Sequence, residues 1–94
     1  MLVRIVRMHF TEAGVDPFLE IFNRNKHAIR NFPGCTSLEL LRDASDPHCY
    51  CTLSHWDNED SLEKYRMSEL FSQVWVNVKK LLSEKTQAFS LTPL

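Results

Sequence analysis

A strand-like run, a helix, two strand-like runs joined by a short turn, a helix in two pieces and a last strand-like run follow one another within 94 residues. Few folds accept that order. Residues 2–10 are β-branched and apolar with an imperfect alternation: Leu2, Val6, Met8 and Phe10 share one face with Arg4, while Val3, Ile5, Arg7 and His9 share the other. Asp16-Pro17 reads as a helix start, an N-cap acceptor followed by proline at the first helical position. Phe18, Ile21, Phe22, Asn25, Ala28 and Ile29 then recur on one helical face until Pro33-Gly34 stops the helix. Residues 35–42 and 48–56 form a hairpin about the turn from Asp43 to Pro47. Asp57 to Asp60 is an acidic helix start that leads to Leu62 and Tyr65. Ser68-Glu69 restarts the helix, and Leu70, Phe71, Val74, Trp75, Val78, Leu81 and Leu82 make one apolar stripe. Residues 86–92 alternate loosely as a final strand. The order β-α-β-β-α-β predicts one α+β domain over residues 1–94, a ferredoxin-like antiparallel sheet with its helices on one face.

That arrangement leaves the second sheet face bare, and no element of the chain remains to cover it. A first strand that is apolar on both faces is usually covered on both, so a homodimer joined through the sheets is expected. A chain this short buries only about 60–70% of its unfolded surface, and a 44% hydrophobic content leaves apolar area for association. A net charge of −1, with no basic grouping longer than Lys79-Lys80, excludes a phosphate-tracking nucleic-acid surface. No apolar run approaches the ~18 residues of a membrane span, and no charged leader precedes one. Three cysteines, an odd number, suit a reducing compartment. The expectation is a soluble, cytoplasmic protein.

Chemistry-bearing residues are few. No phosphate-binding glycine loop, nucleophile elbow or paired-carboxylate motif occurs. Cys49, Cys51 and His55 share a face of the third strand, but Cys-x-Cys on a strand splays its thiols and fits no common zinc spacing, so no metal is expected. Asn25 interrupts the apolar face of the first helix. A buried amide without a partner costs about 1–3 kcal/mol, so it bonds either a substrate oxygen or a backbone carbonyl. Arg7 and His9 have two alternatives. If their strand face meets the helices, they enter a pocket and can hold an enolate or phenolate; with the opposite parity they face the dimer and pair there. Tyr65 offers a hydroxyl, and Trp75 lies within the apolar stripe.

Phe32-Pro33-Gly34-Cys35 after an amphipathic helix, Ser54-His55-Trp56 closing the hairpin, and Ser68-Glu69-Leu70-Phe71 after Asp57 to Tyr65 together resemble the antibiotic biosynthesis monooxygenase family over nearly the whole chain. The resemblance implies a dimeric α+β barrel with a pocket between sheet and helices in each subunit, and for many members oxidation of phenols or quinols by oxygen without metal or organic cofactor. Other members degrade haem or isomerise small sugar-like signals. The haem-degrading members carry a haem-ligating histidine where this chain has Trp75, an asparagine at Arg7 and a tryptophan at Tyr65, so haem degradation is not expected. The histidines of quinol monooxygenases and isomerases fall at Tyr65 and Leu70, while Asn25 matches an asparagine of the isomerase-like members. The resulting expectation is a cofactor-independent monooxygenase-like enzyme for a small aromatic, quinol or enolic metabolite. Asn25, Tyr65, His9 and Arg7 would be its polar groups and Phe18, Phe22 and Trp75 its walls. The alternative is a dimeric module of the same fold that binds a small molecule, or only builds structure, without turnover.

Overall fold

The computed structural model describes residues 1–94. Strand β1 (Leu2–His9) lies between β3 (Cys49–Trp56) and β4 (Gln87–Leu91), and β2 (Cys35–Arg42) flanks β3, giving the order β2-β3-β1-β4. Every pairing is antiparallel. Helices α1 (Val15–Arg30), α2 (Glu59–Arg66) and α3 (Glu69–Lys79) complete the ferredoxin-like α+β fold expected from the sequence. No helix is long and apolar enough to cross a membrane.

The first helix begins differently from its sequence signal. A short 3-10 turn, Glu12–Gly14, runs directly into α1, and the capping residue is Gly14 rather than Asp16. Asp16 sits in the first turn, where its charge still favours the helix dipole. Pro17 lies two residues inside the helix start, among the first four positions whose N–H groups have no helical acceptor anyway. The second helical segment follows its signals closely. Asn58 Oδ1 accepts the Ser61 N–H at 2.9 Å to start α2, and Ser68 Oγ accepts the Phe71 N–H at 3.1 Å to start α3. Between α1 and β2 the chain turns at Gly34, whose φ of +90° suits glycine and whose missing Cβ makes room for the Ser61 side chain.

Strand alternation sorts β1 into two sets. Arg4 stands opposite Ser54, Val6 opposite Thr52 and Met8 opposite Tyr50, all beneath the helices. Val3, Ile5, Arg7 and His9 point to the open sheet face, with His55, Leu53, Cys51 and Cys49 beside them on β3. Only 12 of the 94 residues are buried in the single chain, because the helices cover one face alone. The core beneath them has two parts. Met8, Phe10, Phe18, Tyr50 and Val78 form one cluster, and Cys35, Trp56 and Leu62 form a second, backed by Leu2, Phe32 and Tyr65.

Candidate functional site

A cavity of about 330 Å³ lies between the helix-side face of the sheet and the three helices, and residues of both core clusters line it. That volume is at the lower end of small-molecule pockets. Its walls are mostly apolar: Val6 and Met8 from β1, Phe18 and Phe22 from α1, and Phe71, Val74, Trp75 and Val78 from α3. Phe71 and Trp75 stack at 6.2 Å with an interplanar angle of 13°. β4 is exposed along its length, and its Ala88 joins the lining, so the cavity borders on a strand that is open to solvent.

The other end of the cavity is polar. Tyr65 stacks on Trp56 at 5.1 Å and meets Phe32 and Phe71 edge-on, each at 5.3 Å. Its ring is therefore fixed by three aromatic neighbours, while its hydroxyl makes no hydrogen bond to the protein. Burial, followed by the nearby Cys35 thiol, pushes the phenol up to about 12. Tyr65 thus stays protonated at neutral pH and acts as a donor. The Trp56 indole donates to Ser54 Oγ at 3.0 Å, which leaves the serine O–H free of any protein acceptor. Arg4, across from Ser54 in the sheet, donates from Nη1 to Ser90 Oγ at 2.9 Å. Arg66, at the end of α2, lines the same end and pairs with Glu63 at 3.3 Å. Thr86 also lines the cavity, with its hydroxyl buried and unpartnered.

Of the residues singled out in the sequence, Tyr65, Phe18, Phe22 and Trp75 line the cavity. Asn25 does not; its Nδ2 donates to the carbonyl of Ile21 at 2.8 Å, one helical turn back. The expectation that Arg7 and His9 enter this pocket is corrected by strand parity. Both lie on the open face, where Arg7 is 3.7 Å from Asp43 and His9 is 3.5 Å from Glu84 and 3.9 Å from Asp46. Cys49 Sγ lies 3.9 Å from His9 Nε2 on that face, Cys35 sits under the helices, and no group of three ligating side chains converges on a metal position. Arg4, Ser54 and Arg66 escaped the sequence reading. One signal was present for Arg4, the single charge on an otherwise apolar strand face.

Fold and cavity together define a ferredoxin-like α+β domain with a lined pocket between sheet and helices. The chain belongs to the antibiotic biosynthesis monooxygenase family, whose sequence model matches residues 1–75. The whole fold is shared with the crystal structure of an antibiotic biosynthesis monooxygenase, at a TM-score of 0.93 and 17% identity over 100% of this chain and 99% of that one. It is likewise shared with a conserved protein from Methanosarcina mazei, at 0.90 and 17% over 97% and 91% of the two chains. At such identities the likeness speaks for the fold alone. In sequence, the chain is 32% identical over 54 residues to the mycobilin-producing haem oxygenase of Mycobacterium tuberculosis, a match covering 56% of this chain and 51% of that protein. The match thus spans about half the length of those curated relatives.

Proposed function

We propose that this protein binds a small aromatic, quinol or enolic molecule in the cavity and oxidises it with dioxygen, without metal or organic cofactor. The observation that carries the reading is Tyr65: an aromatic-clamped phenol, kept protonated, whose hydroxyl has no protein partner and borders an apolar cavity. Such a donor stabilises the oxygen of an enolate or phenolate as charge develops there, and the water-poor walls strengthen the bond. Phe18, Phe22 and Trp75 orient the ring. An activated C–H₂ carbon acidic enough to lose its proton to solvent water adds O₂ at carbon, and the peroxide anion takes a proton back from water to give the hydroperoxide. The hydroperoxide then loses water to leave C=O, so one oxygen atom enters the product and the other leaves as water. Oxygen uptake with a panel of quinols and enolic aromatics tests this. Uptake above the spontaneous rate is expected, falling ~10²–10³-fold in Tyr65→Phe, the usual loss for one oxyanion donor.

A second reading, binding without turnover, is favoured by one observation: no histidine, aspartate or glutamate lines the cavity to take a proton. Saturable binding with no oxygen uptake would select it. The haem oxygenase activity named for the mycobacterial relatives does not fit the lining. All four histidines (His9, His27, His48 and His55) lie outside it, and Trp75 offers iron no ligand.

The protein is proposed to act as a homodimer in the cytoplasm. Leu41, Phe89 and Leu91 on the open sheet face are 48%, 47% and 50% exposed, and these apolar side chains support a second copy covering that face. The three free cysteines support a reducing compartment.

A further inference from the structure

We propose that the ligand of this cavity is an aromatic carboxylate, seated with its acid group at the Arg4–Arg66 end and its ring against Phe22, Phe71 and Trp75. The proposal rests on the cavity being the ligand site and adds the chemical class of what enters it. Four groups at the polar end are donors: the Arg4 and Arg66 guanidinium groups, the Tyr65 O–H and the Ser54 O–H. No carboxylate is among the lining residues to receive them.

Charge makes the same case. Arg4 is half-buried, yet none of the five ion pairs of the protein includes it, and its one side-chain partner is the neutral Ser90 hydroxyl. Burial lowers its proton affinity, the field of Arg66 lowers it further, and Glu63 opposes them. A half-buried cation that faces a second cation is disfavoured unless an anion joins it. Two guanidinium groups against the single carboxylate of Glu63 leave one positive charge, which matches a monoanion. The planar fork of arginine fits a carboxylate in particular. The walls specify the rest of the molecule, because a flat ring fills the space beside the stacked Phe71–Trp75 pair.

Calorimetric titration of the protein at low ionic strength with naphthalene-2-carboxylate and with naphthalene-2-carboxamide tests the assignment. The two probes share shape and differ in charge. The carboxylate is expected to bind at least ~10-fold more tightly, an ordinary strength for one charge-assisted contact. Arg4→Met should bring it down to the carboxamide's affinity. Arg66→Met, at an exposed helix end, should narrow the gap and serves if Arg4→Met does not fold. Equal binding of both probes to the wild type overturns the carboxylate assignment and leaves the cavity as a ligand site. A preference that survives in both variants overturns it too, since the anion is then held elsewhere. Binding of neither probe removes the cavity reading and this inference with it.

Discussion

Replacing Tyr65 by phenylalanine separates a structural tyrosine from a site tyrosine. The ring contacts to Trp56, Phe32 and Phe71 survive the change, and only the hydroxyl is lost. A buried hydroxyl that bonded the protein would cost about 1–3 kcal/mol to remove. This one has no protein partner and borders the cavity, so Tyr65→Phe should change stability at neutral pH by less than ~1 kcal/mol. A second signature appears in alkali. The phenol is raised from its ordinary 10.0 to about 12 in the folded protein. Between those values the unfolded chain releases the proton and the native protein keeps it, so the native state binds more protons and stability falls as pH rises. The contribution is whole below the unfolded value and is lost through the folded one. Two units correspond to about 2–3 kcal/mol. Urea melts of both proteins at about pH 7, 9, 10 and 11 read the first half of it, about 1.4 kcal/mol by pH 11, and the difference between them cancels the other titrating groups. The wild type should lose stability relative to Tyr65→Phe above about pH 10. A variant that is 2 kcal/mol less stable at neutral pH would refute the unpartnered hydroxyl, and identical alkaline slopes would refute its burial against the aromatic neighbours.

Other perturbations bear on neighbouring parts of the account. Asn25→Ala removes a bond to the helix's own backbone and improves helix propensity, so it should shift stability by less than ~1 kcal/mol and leave cavity binding intact; calorimetry checks both. Gly34→Ala places a side chain at positive φ and against Ser61, and should cost at least ~1–2 kcal/mol in a denaturant melt. Burial raises the thiols of Cys35 and Cys49, so at neutral pH a disulfide reagent should find the less buried Cys51 first and the other two mainly after unfolding. Sedimentation at micromolar concentration should give about twice the 11.0 kDa chain mass, and a stable monomer would contradict the dimer.

The fold was legible because local signals agreed with one another. Ser68 and the run from Asp57 to Asp60 announce two helix starts, Pro33-Gly34 a stop, and the apolar periods the rest. Asp16-Pro17 imitates a cap, while the chain enters α1 two residues earlier, through a 3-10 turn that ends at Gly14. Cavity walls were legible as stripe residues, as with Phe18, Phe22 and Trp75. The polar end was not. Arg4, Ser54 and Arg66 come from β1, β3 and α2, and only the sheet register and the placing of α2 bring them together. The parity of β1 was undecidable from sequence, since each face carries apolar residues and at least one basic residue. Asn25 stood out as a polar break in an apolar stripe, but a bond from a side chain to its own helix leaves no mark in the pattern.

The two indole N–H groups of the protein give the most direct test of the central claim that the cavity is the ligand site. Trp56 and Trp75 are the only tryptophans, and both line it. An NMR titration with 1,4-naphthoquinol under argon, read on the ¹H–¹⁵N indole and ¹H–¹³C methyl signals, should shift both indole signals saturably, while the side-chain methyls of Ile5, Leu53 and Leu91 on the open sheet face stay in place. Indole signals that remain fixed at saturating quinol, or shifts confined to the open face, would contradict the account.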